Sequence, residues 1–189
     1  MINLAKVALF SLPRSGSRML CSMLDSHPQV NCWHEYLVED EIEEGMAKLS
    51  ENGKVAVGHC QWNLARKLYG KYPTILLYRE DETKGAIGQM MLSIPRAHGE
   101  YTLKPDMVKR VARERRERVE DMRRHADLLI SYEEITDNKP TRIAPQAVSD
   151  KLCDFIGVSR WMLYTDWVKK EPPKLPKNLS DCYGLIQHS

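Results

Sequence analysis

One stretch, residues 6–28, constrains the fold of this 189-residue chain more than any other. It opens on a short apolar run at residues 7–10, which is typical of a buried strand. A Gly/Ser turn follows at residues 12–17. Apolar residues then recur at helical spacing until His27-Pro28 ends the pattern. The sequence therefore predicts a strand, a loop and a helix in direct succession.

This succession predicts an anion site at the loop. The start of a helix presents free N–H groups and the positive end of the helix dipole. Arg14 and Arg18 add positive charge, and Ser15 and Ser17 add hydroxyl donors. The loop is not a Walker A motif, because the spacing GxxxxGK[ST] is absent. The alternative is an ordinary turn whose polar residues only cap the helix.

Strands and helices alternate along the rest of the chain. Further strands are predicted over residues 29–33, 55–59, 74–78 and 127–132. Helices are predicted over residues 39–48, 63–69, 82–92, 106–125 and 145–156. This alternation predicts a single α/β domain, residues 1–189, with helices on both faces of a parallel sheet. A Lys/Pro-rich segment begins at about residue 169.

Polar residues lie just beyond four of the predicted strands, namely Arg14, Glu35, His59 and Arg79. Parallel sheets bind ligands outside the carboxyl ends of their strands. These four residues are therefore expected to share one site.

Composition limits the classes of protein. A formal net charge of +2 does not indicate a nucleic-acid binder. The five cysteines include no CxxC pair, so neither a zinc site nor a disulfide framework is predicted, and a reduced cytoplasmic setting is expected. No apolar run approaches the roughly 20 residues of a membrane span.

The strings PRSGSRML and DSHPQVNCWHE resemble the 5′-phosphosulfate loop and its sequel in the sulfotransferase family, most nearly the tyrosylprotein and small bacterial branches. The resemblance implies a P-loop-type sulfotransferase-like fold. It also implies transfer of a sulfuryl group from 3′-phosphoadenosine-5′-phosphosulfate (PAPS) to a hydroxyl or amine of a small molecule or peptide, without a metal.

The resemblance also implies roles for residues of the first loop and its sequel. The donor would be held by the loop residues Arg14, Ser15, Gly16, Ser17, Arg18 and Met19. Glu35 would be the general base, with His34 as the neighbouring candidate because histidine titrates near pH ~6.5. His59 stands where the family often carries a lysine, and as a cation it would stabilise the leaving oxygen; the alternative is a buried histidine whose hydrogen bonds are satisfied within the protein.

The second fingerprint of the family is a strand, an Arg and a later Ser that grip the 3′-phosphate. Arg79 fits the first part, but Ile87 and Gly88 stand where the Ser is expected. Lys84, Thr83 or a helix N-terminus would substitute. Lys170 and Lys174 lie where relatives close a basic loop over the nucleotide. A solvated linker is the alternative for that segment.

Other polar and aromatic residues receive plainer assignments. Tyr132 and Phe155 are assigned to the core. The charged helix at residues 104–124 interleaves Arg and Glu at i,i+3 and i,i+4 spacing and is predicted to pair with itself at the surface. Trp33 and Trp62 are candidates for the acceptor site or, equally, for the core.

Two rival functions remain open at this stage. A P-loop kinase would need a lysine in the loop, and none is present. A non-enzymatic binding module on the same fold is favoured by the missing Ser after Arg79.

Overall fold

The computed structural model describes residues 6–35, 37, 41–50, 53–92, 103–137, 139 and 141–166. These residues form a five-stranded sheet in the order β2-β3-β1-β4-β5, in which each neighbouring pair is parallel. The elements in chain order are β1 (Lys6–Ser11), α1 (Ser17–Asp25), β2 (Val30–Trp33), α2 (Ile42–Leu49), β3 (Val55–Gln61), α3 (Trp62–Leu68), β4 (Thr74–Tyr78), α4 (Glu82–Leu92), α5 (Pro105–Arg123), β5 (Leu128–Ser131), α6 (Tyr132–Thr136) and α7 (Gln146–Ile156). The predicted fold class, a parallel sheet flanked by helices, is confirmed.

The central strand β1 is buried on both faces. Val7 and Leu9 belong to a core cluster that includes residues of α1 and α7. Ala8 and Phe10 belong to a second cluster, on the opposite face, with α2, α3 and α5. Because side chains alternate across a strand, a strand covered on both sides must be apolar throughout. This explains the unbroken apolar run that the sequence shows there.

The topology places a crevice at the carboxyl end of β1. From β1 the chain crosses to β2 at one edge of the sheet, whereas from β4 it continues to β5 at the other edge. Ligands of such sheets bind where neighbouring connections diverge in this way. The loops after β1 and β4 carry Arg14 and Arg79.

Two predicted boundaries are wrong in ways that affect the site. The third strand continues to Gln61, because Phe10 and Ser11 of β1 pair with Cys60 and Gln61. His59 therefore lies inside β3 rather than after it, and it is 1% exposed.

The helix α6 was not predicted, although its start carries the sequence signal of a capping box, S-x-x-E. Ser131 Oγ accepts from the Glu134 amide (3.0 Å), and the Glu134 carboxylate accepts from the Ser131 amide (2.6 Å). Tyr132 consequently begins a helix instead of ending a strand.

Two of the predicted nucleotide-binding residues, Lys170 and Lys174, lie outside the described residues. Among the helices that the described residues form, none combines the length and apolarity needed to cross a membrane.

Candidate functional site

The loop after β1 presents unpaired backbone amides. Gly16 takes φ 95° and ψ 13° directly before α1, and no side chain caps the helix. The Met19 amide donates to the Gly16 carbonyl (3.0 Å), and the Ser15 amide donates within the loop. Within the described residues, the amides of Gly16, Ser17 and Arg18 have no acceptor. Of the loop residues predicted to hold the donor, Ser15 and Met19 therefore offer no free amide, because both amides already donate to backbone carbonyls.

Arg14 and Glu35, which belong to separate loops, adopt left-handed backbone conformations with φ of 67° and 54°. Such conformations cost of the order of 1–3 kcal/mol for a side-chain-bearing residue, and they cluster at functional sites. The residues that the sequence predicts for donor binding and proton transfer are therefore both held in strained backbone; the third such residue in the described part of the chain, Asp137, follows the end of α6.

A buried arginine holds the loop from behind. Arg115 of α5 is 1% exposed and forms a salt bridge with the buried carboxylate of Glu82. Its guanidinium also donates to the Pro13 carbonyl (2.8 Å) and to Gln89 Oε1 (2.7 Å). The Ser15 hydroxyl lies 3.4 Å from the guanidinium and is fully buried. Ser15 Oγ thus accepts from Arg115 behind the loop, and Ser15 is not among the described residues that line the cavity in front of it.

The prediction that α5 is only a self-paired surface helix is wrong at this residue. Burial lowers the pKa of Arg115, and the Glu82 carboxylate opposes that shift and favours the charged form. Gly85 of α4 makes room for the arginine, because a Cβ atom there would collide with the guanidinium. Arg115 is the positioning residue that the sequence analysis missed.

In front of the loop lies a cavity of about 460 Å³ with four cationic side chains in its lining: Arg14, Arg18, Arg79 and Lys84. Arg14 and Arg18 form no salt bridge with any described residue, whereas Lys84 lies 3.4 Å from the Asp81 carboxylate. Unpaired arginines around free amides favour an anionic ligand.

Arg79 and Tyr132 complete this side of the cavity. Arg79 Nε donates to the Arg14 carbonyl (2.9 Å), and its guanidinium lies 4.1 Å above the centre of the Tyr132 ring. A Cβ atom on Gly16 would overlap the same ring. Tyr132 is therefore not only a core residue, as predicted, but also a wall of the site.

The start of α4 differs from the expectation for a phosphate site. Asp81 Oδ1 accepts from the Thr83 amide (3.0 Å) and the Lys84 amide (3.4 Å), so a carboxylate already occupies this helix N-terminus. The suggested substitution by the helix N-terminus is thus wrong. Ile87 is buried, and Gly88 faces the cavity against Arg14. Among the suggested substitutes, the Lys84 side chain is the one that lines the cavity.

The opposite wall carries two stacked histidines. The rings of His34 and His59 lie 4.7 Å apart, nearly parallel at 11°. His34 Nε2 is hydrogen-bonded to Ser17 Oγ (2.9 Å), and His59 Nε2 to Ser11 Oγ (2.8 Å). The Glu35 amide donates to His59 Nδ1 (3.0 Å). This backbone bond ties Glu35 to a buried residue of β3.

His59 is a neutral imidazole. Burial, and to a smaller extent the neighbouring His34, lowers its pKa to about 3. Because Nδ1 accepts from an amide, the ring proton resides on Nε2. The predicted role of His59 as a cation at the leaving oxygen is therefore wrong for this arrangement.

The general-base candidates, His34 and Glu35, lie side by side, with His34 Nδ1 3.9 Å from the Glu35 carboxylate. The pKa of His34 is lowered overall: burial is the largest cause, Glu35 opposes the shift, and Arg18 adds to it. The ring is therefore neutral near pH 7. The Glu35 side chain is half exposed and accepts from Gln61 Nε2 (3.3 Å). Both groups line the cavity and are able to accept a proton there.

The two tryptophans take no part in this cavity as far as the described residues define it. Trp62 lies beneath Arg118, 4.4 Å from ring centre to guanidinium, in a separate depression along α3 and α5. Trp33 is exposed and does not line the cavity. In the described part of the chain, no cluster of His, Cys, Asp and Glu is arranged to hold a metal ion.

Comparison with models of known families and with curated proteins finds no match. Solved structures do match. A sulfotransferase domain from the curacin biosynthetic pathway is 12% identical, with a TM-score of 0.51 over 97% of each chain. A sulfotransferase domain from the Synechococcus PCC 7002 olefin synthase is 14% identical, with a TM-score of 0.53 over 97% of this chain and 82% of that one. The chain thus has the fold of sulfotransferase domains.

Proposed function

From the sulfotransferase fold and the charged cavity, we propose that the protein transfers a sulfuryl group from PAPS to a hydroxyl or amine acceptor. One observation carries the proposal: an unpaired cationic loop and two proton-accepting side chains, His34 and Glu35, line a single cavity. An anionic donor and a protic acceptor need these two kinds of group on opposite sides of the reacting atoms.

The loop would hold the phosphosulfate end of the donor through the amides of Gly16, Ser17 and Arg18 and the side chain of Arg14. Arg79 and Lys84 would hold the 3′-phosphate. The fit is supported by charge, because four cations line the cavity and three of them, Arg14, Arg18 and Arg79, have no carboxylate partner among the described residues.

In the proposed reaction, Glu35 or His34 accepts the proton of the acceptor. The acceptor oxygen or nitrogen then forms its bond to sulfur while the bond from sulfur to the phosphate oxygen breaks. The electron pair of that bond stays on the phosphate oxygen of 3′,5′-adenosine bisphosphate, where Arg14 neutralises it. Positioning and electrostatics supply most of the acceleration in transfers of this type.

Ligand-dependent melting tests the donor class. A ligand at about a hundred times its Kd raises stability by roughly 2.7 kcal/mol. We expect 3′,5′-adenosine bisphosphate to raise the Tm more than AMP does, and Arg14→Ala to abolish the shift. Arg116→Ala is the matched control, because Arg116 is an exposed arginine of α5. A shift only with ATP and Mg²⁺ would favour a kinase instead.

A binding module is the second candidate, and the Asp81 carboxylate at the start of α4 is the observation that favours it. Turnover separates the two functions. We expect Glu35→Gln or His34→Asn to lower kcat by about 10²–10⁴-fold, the usual worth of a general base, with bisphosphate binding retained. Absence of turnover in the wild type, with PAPS and a panel of acceptors, would leave the binding module.

A further inference from the structure

Ser11 is a buried hydroxyl on the wall of the same cavity. It is the last residue of β1, 2% exposed, and it lines the cavity beside the loop residues Pro13 and Arg14. Among the described residues, its Oγ has one hydrogen-bond partner, His59 Nε2 at 2.8 Å.

The direction of that bond follows from the other side of the imidazole ring. The Glu35 amide can only donate, and it lies 3.0 Å from His59 Nδ1. Nδ1 must therefore offer a lone pair, and the proton of the neutral ring sits on Nε2. Consequently His59 donates and Ser11 Oγ accepts.

The hydroxyl hydrogen of Ser11 is then left without an acceptor in the described part of the chain. A buried donor that stays unpaired is costly and rare, which indicates that a ligand supplies its acceptor. The side of Ser11 that is not packed opens on the cavity, next to Arg14 and Gly16. The group that those residues favour is an anion with several acceptor oxygens.

We propose that the Ser11 hydroxyl donates a hydrogen bond to an oxygen of the anionic group that the loop binds. This inference rests on the proposed function, under which that group is the phosphosulfate of the donor and becomes the 5′-phosphate of the product. Ser11 is then a donor-binding residue. It does not act as a nucleophile activated by His59, because Nε2 already carries a proton.

Calorimetric titration with two nucleotides tests the assignment. 3′,5′-Adenosine bisphosphate carries the 5′-phosphate, and adenosine 3′-phosphate lacks it. We expect Ser11→Ala to weaken bisphosphate binding by roughly 10- to 100-fold, the effect of one hydrogen bond to a charged group, and to leave adenosine 3′-phosphate unchanged. Ser11→Thr keeps the hydroxyl and is expected to bind both ligands as the wild type does.

Equal bisphosphate affinity in wild type and Ser11→Ala would overturn the inference, as would an equal loss of both ligands. A wild type that binds neither nucleotide would overturn the proposed donor and this inference together, and that result is visible before any variant is made. Ser11→Ala leaves the His59 proton unpaired, so Ser11→Cys serves as a second variant if the alanine variant does not fold. The ¹⁵N shifts of His59 test the premise, because a proton on Nδ1 would reverse the bond.

Discussion

The two walls of the cavity are built in different ways. The loop wall, residues 12–18, is held from behind by buried groups, namely Arg115 and Glu82, and from above by the Tyr132 ring. The opposite wall carries His34 and Glu35 on a segment that three hydrogen bonds tie to β3: the Glu35 amide to His59 Nδ1, Gln61 Nε2 to the Glu35 carboxylate, and the Leu37 amide to the His59 carbonyl. The loop wall is thus held by buried charged side chains, whereas the Glu35 side chain of the other wall is half exposed.

Under the proposed function, the difference matches the task of each wall. Electrostatic stabilisation requires donors that are fixed before the ligand arrives, because reorganisation during the reaction would cost free energy. A general base must instead approach acceptor substrates of different shapes, and side chains on an exposed loop are suited to this. The contrast makes four predictions, which differ in the size of their effects.

The largest effect is expected at Arg115. Arg115→Met leaves the Glu82 carboxylate buried without a partner, and breaking such a pair costs about 3–5 kcal/mol. Chemical denaturation measures the loss, with Arg116→Met as the exposed control on the same helix. The double variant Arg115→Met/Glu82→Met should regain stability but not bisphosphate binding, because Pro13 loses its donor. If the double variant binds as the wild type does, Arg115 does not position the loop.

Gly16→Ala comes next. The alanine would have to adopt φ 95° and would overlap the Tyr132 ring. Backbone strain of this kind costs about 1–3 kcal/mol. Gly70→Ala is the matched control, because Gly70 has φ 72° and no atom within 4 Å of a built Cβ. Thermal melting should show a greater loss for Gly16→Ala, and equal losses would mean that the Tyr132 ring exerts no constraint on the loop.

The opposite wall should respond to pH through His59. In the unfolded chain a histidine titrates near pH ~6.5, whereas in the folded protein the pKa of His59 is lowered to about 3. Between these values the unfolded state binds the proton that the folded state excludes, so stability is full above pH ~6.5 and falls as the pH drops. The slope is about 1.4 kcal/mol per pH unit.

The measurement is the free energy of unfolding as a function of pH, for the wild type and for His59→Gln. The difference between the two curves isolates the contribution of His59 from that of the carboxylates that titrate in the same range. His34, which stacks on His59 and whose pKa burial also lowers, keeps its own smaller dependence in both proteins. Superimposable denaturation profiles between pH 4 and pH 6.5 would show that His59 is not buried as a neutral ring.

The sequence predicts those parts of the site that depend on residues close to one another in the chain. The strand, the Gly/Ser loop and the helix at residues 6–28 follow from an apolar run, a glycine and helical spacing, and the structure has all three. Arg14, Glu35 and Arg79 were expected near one another because parallel strands end at one edge of the sheet. All three, together with His59, line one cavity.

What the sequence analysis missed depends on distant contacts. The role of Arg115 requires α5 to lie behind the loop, which is a property of the whole fold. A signal was nevertheless present: Val108, Ala112, Arg115, Val119 and Met122 recur at helical spacing, and all five are buried. The arginine thus occupies a core position of its helix. The predicted position of His59 is wrong for a similar reason. A polar residue after an apolar run predicts the end of a strand, whereas the strand continues through His59 because β3 pairs with β1.

The smallest effect is expected at Gly88 of α4, which lines the cavity at a position where the family resemblance implies a serine. A Cβ atom there would lie 3.4 Å from Arg14, an ordinary contact. Gly88→Ser should therefore fit, and its hydroxyl should raise the preference for 3′,5′-adenosine bisphosphate over AMP by a factor of roughly 2–10, the worth of one hydrogen bond. Calorimetry on both nucleotides measures this preference.

Gly88→Ala is the control for that variant, because alanine improves the helix by up to about 1 kcal/mol without adding a donor. If the serine variant binds the bisphosphate less tightly than the alanine variant does, the new hydroxyl has drawn Arg14 out of place. In that case Arg115 and Tyr132 would fix the backbone of the loop wall, but the Arg14 side chain would remain free to move. The two walls would then differ in the rigidity of their backbones and not in that of their side chains.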